Sequence, residues 1–205
     1  MTWKQPVSDN KLRIEAQETL SDGFLKVVKY TLSHRTFDGG WIGPMTREIV
    51  MRPFCVAVLP YDPVADKILL IEQFRLAAHL GGMPAWQLEI IAGMNDKNES
   101  PEAIVRREAI EEANCTLGDL VEIYRYLPTP GITNETVAIY CGRMDSAGQG
   151  GVFGLDDEHE DIRATLHDFA EVPRILADGH GGNGLLIIAL QWLMLNRDRL
   201  RREWR

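Results

Sequence analysis

The chain has little cysteine, no excess of basic residues and no long apolar run, and each shortage narrows what it can be. Only three cysteines, Cys55, Cys115 and Cys141, occur among 205 residues, and they lie far apart. No C-x-x-C pair exists, which argues against a structural zinc site or a dithiol redox motif. Each sits among apolar neighbours, as in Phe54-Cys55-Val56, so buried free thiols in a reducing compartment are expected. Lys and Arg number 22 against 30 Asp and Glu, for a net charge of −8. Nucleic acid requires a basic surface that displaces counterions, and anionic membranes attract basic segments, so neither partner is expected. No apolar stretch approaches the ~20 residues of a membrane helix. The opening MTWKQPVSDNKLRIEAQ lacks the apolar core of a signal peptide, so a cytoplasmic location is the expectation.

What is present is an ordinary globular composition, 45% hydrophobic and 25% charged, enough for one domain with a small appended element. Alternating segments over residues 11–37, notably LKVVKYTL (25–32), predict strands, with a turn at Asp38-Gly39-Gly40 and a partner strand at Thr46 to Met51. Residues 1–51 thus read as an N-terminal β-element built on a hairpin, and residues 52–205 as the main domain. In the main domain FCVAVLPYD (54–62) and KILLIEQF (67–74) predict a buried antiparallel pair, and WQLEIIAG (86–93) one further strand. A helix is expected at about 101–114, strands at 121–128, 135–143 and 162–167, and helices near 169–179 and 184–200. In the last helix Leu185, Ile188, Ala189, Trp192 and Leu195 recur at helical spacing. Strands on both sides of a central helix, with helices at the end, predict an α+β fold, an α/β/α sandwich with a mixed sheet.

The chemistry concentrates on the central helix. Ser100-Pro101 is a helix start, a serine N-cap with proline at N1. Glu108, Glu111 and Glu112 fall on one face, because their spacings are i, i+3 and i+4. Val105, Ala109 and Ala113 form an adjoining stripe of small residues that lets the helix approach a sheet. Two readings are open on these residues alone. The acids form a solvated face neutralised by Arg106 and Arg107, or they form a cage of hard oxygen ligands for Mg²⁺ or Mn²⁺.

The surrounding spacing chooses between them. Gly93, five residues, Glu99, seven residues, then Arg107-Glu108-Ala109-Ile110-Glu111-Glu112 resembles the Nudix box almost position for position. One departure is Asn114 where the box usually carries glycine, and asparagine is the next-best residue for a left-handed cap. The resemblance implies a Nudix fold and hydrolysis of a nucleoside diphosphate linked to another group. It implies Glu108 and Glu112 as principal ligands of Mg²⁺, with Mn²⁺ as the alternative ion. Glu111 would lie nearby, the carbonyl of Ala92 would be a further ligand, and Glu99 would pair with Arg107.

Beyond the box, LIEQFRLAA (70–78), GLDDEHEDIR (154–163) and IALQWL (188–193) resemble the bacterial ADP-ribose pyrophosphatase branch of the family. A Gly-rich approach to DDEHED is a solvated loop or a mobile lid that delivers a base. The resemblance makes Glu158 the catalytic base and Glu160 a further metal ligand, while His159 reads as a surface histidine. Arg75, at a strand end, is a natural phosphate ligand or a partner in a surface salt bridge. By resemblance Phe24, Leu25, Arg47, Glu48 and Arg52 grip the adenine side, and Met94 and Glu135 contact the rest of the substrate. Phe24 alone could equally be a core residue. The resemblance further implies a homodimer that exchanges its N-terminal β-elements. The implied reaction is ADP-ribose to AMP and ribose 5-phosphate. A pyrophosphatase for another nucleotide sugar, such as GDP-mannose, is the alternative within the family. A non-catalytic nucleotide-binding module is the alternative outside it.

Overall fold

The computed structural model describes residues 10–95, 99–155, 159–178 and 182–204. The chain divides into two compact units, one of residues 1–52 with 129–135, the other of residues 53–128 with 136–205.

The smaller unit is a three-stranded antiparallel sheet, β1 (Leu12–Asp22), β2 (Lys26–Arg35) and β3 (Trp41–Met51), in that order. The sequence pattern predicted a hairpin. The alternating segments expected over residues 11–37 form two strands, β1 and β2, so the unit has three strands where a hairpin has two. Every residue of β1 is exposed, and Val28 and Ser33 are the buried residues among those described in the three strands. Residues 129–135 join this unit through a bridge between Val50 and Thr133 and a 2.8 Å bond from the Val50 N–H to the Ile132 carbonyl. A long contact of this kind in sequence leaves no local pattern.

The larger unit is built on a mixed sheet of order β10-β11-β5-β4-β9-β8. Its strands are β4 (Cys55–Asp62), β5 (Lys67–Phe74), β8 (Leu120–Tyr126), β9 (Val137–Arg143), β10 (Gly151–Phe153) and β11 (Ile162–Asp168). The parallel pair β4–β9 makes it mixed. The central strands β4, β5 and β9 are apolar over most of their length because both their faces are covered. Ala57, Leu59 and Tyr61 face one layer with Ile68, Leu70 and Ile139, while Val56, Val58, Leu69, Ile71 and Ala138 face the other. The first layer is closed by α3 (Val172–Ala177) and α4 (Gly184–Glu203), the second by α2 (Pro101–Ala113). The α/β/α sandwich is therefore as the pattern predicted. No helix of the described residues is long and apolar enough to cross a membrane.

Two sequence expectations need correction. Residues 86–93 are not one strand. β6 (Trp86–Glu89) pairs with β5, and β7 (Ile91–Met94) pairs with β4. Since β4 and β5 pair with each other only at their Tyr61–Ile68 end, they splay apart, and the break at Ile90 lets one segment serve both. On α4 the expected stripe packs on the core except at its last residue, with Ala189 buried and Leu185, Ile188 and Trp192 partly buried against it. Leu186, Ala189, Leu190, Leu193 and Leu200 are buried, whereas Leu195 is 86% exposed. A helix this rich in leucine offers two overlapping stripes, and only packing selects between them. A short helix, α1 (Leu76–Leu80), also precedes the Gly-rich link at 81–82.

The end of α4 is fastened to the β4–β5 turn. Asp66, at φ 60°, accepts from the Tyr61 hydroxyl at 2.7 Å and from Arg197 Nε at 2.9 Å, and it pairs with Arg201 at 2.9 Å. Burial opposes its charge, but the hydrogen bonds from Arg197 and Tyr61 outweigh it and hold the carboxyl below its usual range.

Candidate active site

Helix α2 begins and ends as its sequence dictates. Ser100 Oγ accepts from the Ala103 N–H at 3.2 Å, Pro101 opens the first turn, and Asn114 closes the last with φ 48° and ψ 35°. Asparagine thus adopts the left-handed cap for which glycine is the usual choice. Ile104, Val105, Ala109 and Ala113 bury against the sheet, and α2 packs along β7, β4, β10 and β11.

Because small residues let the helix sit close, the neighbouring acids are drawn inward. Glu112 is only 4% exposed, and its Oε2 accepts from the Ala92 N–H at 3.2 Å. Glu108 lies directly on β7, where a Cβ at Gly93 would collide with its carboxylate. The first glycine of the box is therefore required by close approach, not by a turn. Glu111 lies on the outer flank. Arg107 gathers Glu99 at 3.2 Å, Glu108 at 3.0 Å and Glu111 at 2.7 Å. Arg106, which the solvated-face alternative set against the same acids, donates to the carbonyls of Leu117 and Gly118 and ties down the loop after the helix.

The two inner carboxyls are poor anions in this setting. Burial pushes Glu108 up to about 7; Arg107 opposes the rise, and Glu111 and Glu160 add to it. Burial and the nearby Glu108 push Glu112 well above its ordinary value, with only partial relief from the Ala92 N–H and Arg75. A buried and a partly buried carboxylate in repulsion, backed by strand backbone, fit a divalent cation, which would bring the compensating charge that hard oxygen ligands accept. Among the described residues no three acidic, histidine or cysteine side chains already converge on one point, and Glu108 pairs with Arg107.

The second acidic segment lies near the first. Glu160 raises the proton affinity of both Glu108 and Glu112, and its Oε2 accepts from the Leu155 N–H at 3.3 Å. His159 is exposed, at φ 56°. Glu158, the expected base, lies outside the described residues, as do Asp156 and Asp157.

Arg75 does make a salt bridge, to a partner the sequence did not single out. Glu89, 4% exposed at the end of β6, accepts from Arg75 Nε at 3.1 Å and Nη2 at 2.8 Å, and from Gln73 Nε2 at 3.3 Å. The available signal was a lone acid inside the apolar pattern Trp86-Gln87-Leu88-Glu89-Ile90-Ile91. Met94 ends β7 opposite Cys55.

The remaining expected contacts lie in the smaller unit. Phe24 is 88% exposed, which overturns the core reading, and the Arg52 guanidinium sits 5.9 Å from its ring centroid. Arg52 also pairs with Glu135 at 3.7 Å. Leu25 is exposed, and Arg47 and Glu48 occupy β3 positions opposite Tyr30 and Lys29.

A sandwich with one acidic helix seated on a strand of its mixed sheet is the arrangement of a Nudix pyrophosphohydrolase. Residues 51–184 match the NUDIX domain, and the chain belongs to that family. Enzymes of this family generally need a divalent metal. An ADP-ribose pyrophosphatase of Escherichia coli (strain K12) is 39% identical over 195 residues, 95% of this chain and 93% of that protein. One of Haemophilus influenzae is 34% identical over 100% of this chain and 96% of its own. A GDP-mannose pyrophosphatase of Enterobacter sp. is 29% identical over 91% of this chain and 96% of its own. A crystal structure described as an ADP compounds hydrolase superposes with a TM-score of 0.69 at 20% identity, covering 97% of this chain and 98% of that one, and shows the shared fold.

Proposed function

We propose that this enzyme hydrolyses the diphosphate bond of ADP-ribose to AMP and ribose 5-phosphate. The observation that carries this reading is near full-length identity of 39% and 34% to ADP-ribose pyrophosphatases, against 29% to a GDP-mannose pyrophosphatase. Glu108 and Glu112 would hold Mg²⁺, with Glu111, Glu160 and the Ala92 carbonyl as the further candidates. The bound ion would neutralise the diphosphate and acidify a water. The chain's own residues do the rest. Gly93 leaves room for the Glu108 carboxylate, the Ala92 N–H orients Glu112, and Arg107 holds the flanking acids in register. Arg75 offers a guanidinium to a phosphate, and Glu158 takes a proton from the attacking water.

Phe24, Leu25, Arg47, Glu48 and Arg52 are the proposed adenine grip, with Met94 and Glu135 touching the rest of the substrate. An exposed phenylalanine beside an arginine suits a purine, which stacks on both. A homodimer that exchanges the N-terminal sheet is favoured by the exposure of all of β1, since an edge strand without cover invites pairing. The three thiols, all free, suit a reducing cytoplasm. Rates on ADP-ribose and GDP-mannose, measured side by side with Mg²⁺, test the substrate. The expected result is a kcat/KM for ADP-ribose at least tenfold the higher, and faster GDP-mannose turnover would sink the reading.

A further inference from the structure

The connection from β7 to α2 is closed by one side chain. Asn95 follows the last residue of β7, and its N–H donates to the Phe54 carbonyl at 2.8 Å, one step past the Cys55–Met94 pair of the β4–β7 ladder. Its amide then meets the backbone of Glu99 twice. Asn95 Oδ1 accepts from the Glu99 N–H at 3.0 Å, and Asn95 Nδ2 donates to the Glu99 carbonyl at 3.2 Å. One partner is a donor and the other an acceptor, so the clasp needs a side chain with both functions, and a primary amide carries them in one plane. The spacing of the box leaves position 95 open, so the match to that pattern sets no expectation for this residue.

Glu99 is where the clasp meets the acidic helix. It stands just before Ser100, the N-cap of α2, and its Oε2 accepts from Arg107 Nε at 3.2 Å. Arg107 Nη1 bonds Glu111 at 2.7 Å and pairs with Glu108 at 3.0 Å. Of these three acids Glu99 alone lies outside α2, so it fixes the guanidinium against the connection rather than against its own helix. The side chains of Arg107 and Glu99 are 23% and 30% exposed, so solvent screens the pair only in part. With Glu99 loosened, Arg107 keeps only the acids of its own helix as partners. A guanidinium free to follow Glu108 competes with a cation for that carboxylate.

We propose that Asn95 is a positioning residue for the divalent-cation site, acting on Glu108 through the backbone of Glu99 and the side chain of Arg107. This rests on the reading of Glu108 and Glu112 as metal ligands. The amide of Asn95 is committed to Glu99 and serves as no ligand.

The clasp can be separated from what it holds, because both of its bonds go to the backbone of residue 99. Glu99→Ala keeps the clasp and removes the carboxylate, and Asn95→Ala does the reverse. Titration of the chelator-treated protein with Mn²⁺, followed by the loss of the free-ion resonance, reads both without any substrate. Asn95→Ala should weaken Mn²⁺ binding about fivefold, the scale of one or two neutral hydrogen bonds. Glu99→Ala should weaken it at least as much. The double variant should match Glu99→Ala within about twofold, since the two changes act on one path. A clasp that merely stabilised the connection would weaken binding again in the absence of the Glu99 carboxylate. If Asn95→Ala does not fold, Asn95→Asp, which keeps the acceptor and loses the donor, takes its place in the same cycle. Its smaller loss should likewise vanish beside Glu99→Ala. Unchanged Mn²⁺ affinity in the Asn95 variant, or losses that multiply in the double variant, overturns the proposal. The underlying metal reading fails separately, if the parent binds no Mn²⁺ or if Glu112→Gln binds it as tightly as the parent.

Discussion

The chelator-treated protein should melt at lower temperature as the pH rises from about 5 to 8, and a divalent cation should remove that loss. The reason is the Glu108 carboxyl, which burial raises from 4.5 to about 7. At pH below 4.5 it is protonated in both folded and unfolded chains, so it costs the fold nothing. Above about 7 it is ionised in both, and the fold carries the full cost. Between these limits unfolding releases a proton, so stability falls with rising pH. Each tenfold change in proton affinity is about 1.4 kcal/mol, so the full cost is about 3 kcal/mol. For a chain of this size that is roughly 6–12 °C of melting temperature. Glu112, shifted the same way, adds to the effect. Asp62, Asp66 and Glu122 are shifted down, so the stability they contribute is lost only on acidification below this window. Differential scanning calorimetry at fixed ionic strength, with chelator and then with excess Mg²⁺, reads the effect. Glu108→Gln should flatten part of the slope. A melting temperature that stays level or rises from pH 5 to 8 in chelator would show that the Glu108 carboxyl carries no such cost.

Other perturbations act on separate parts of the structure. Gly93→Ala pushes a methyl into the Glu108 carboxylate and should weaken divalent-metal affinity at least tenfold, read by calorimetric titration. Asp66→Ala leaves Arg197, Arg201 and the Tyr61 hydroxyl without their shared partner, and urea denaturation should show a loss of about 2–3 kcal/mol. The metal site should keep its affinity in that variant. Glu158→Gln should lower kcat by 100-fold or more with KM nearly unchanged, on the scale of general-base loss. An equal rate would move the base to another acid of residues 156–161.

The box was legible because its chemistry needs fixed spacings along one helix. Ser100, Pro101 and Asn114 mark its ends, and the stripe Val105, Ala109, Ala113 announces a close approach to a sheet. The burial of β4 and β5 was also visible, as two apolar, β-branched runs. Glu89 was passed over because its importance depends on Arg75, fourteen residues away in sequence and adjacent only across the β5–β6 ladder. The joining of residues 129–135 to the small sheet is set by packing between distant segments, which local periodicity does not encode. The solvated-face alternative, in which Arg106 neutralised the acids, fails at that residue for a related reason. Its position on the helix allowed that role, but the carbonyls of the following loop lay within its reach.

On the proposed function, the acids of α2 hold the metal that supports cleavage of the diphosphate. The most direct measurement is ADP-ribose hydrolysis with chromatographic identification of both products, in Mg²⁺ and in chelator, for the parent and for Glu112→Gln. AMP and ribose 5-phosphate in equal amounts, formed by the parent with Mg²⁺ and lost in chelator and in the variant, is the expected result. Turnover that survives chelation, or a Glu112→Gln variant as active as the parent, would contradict it.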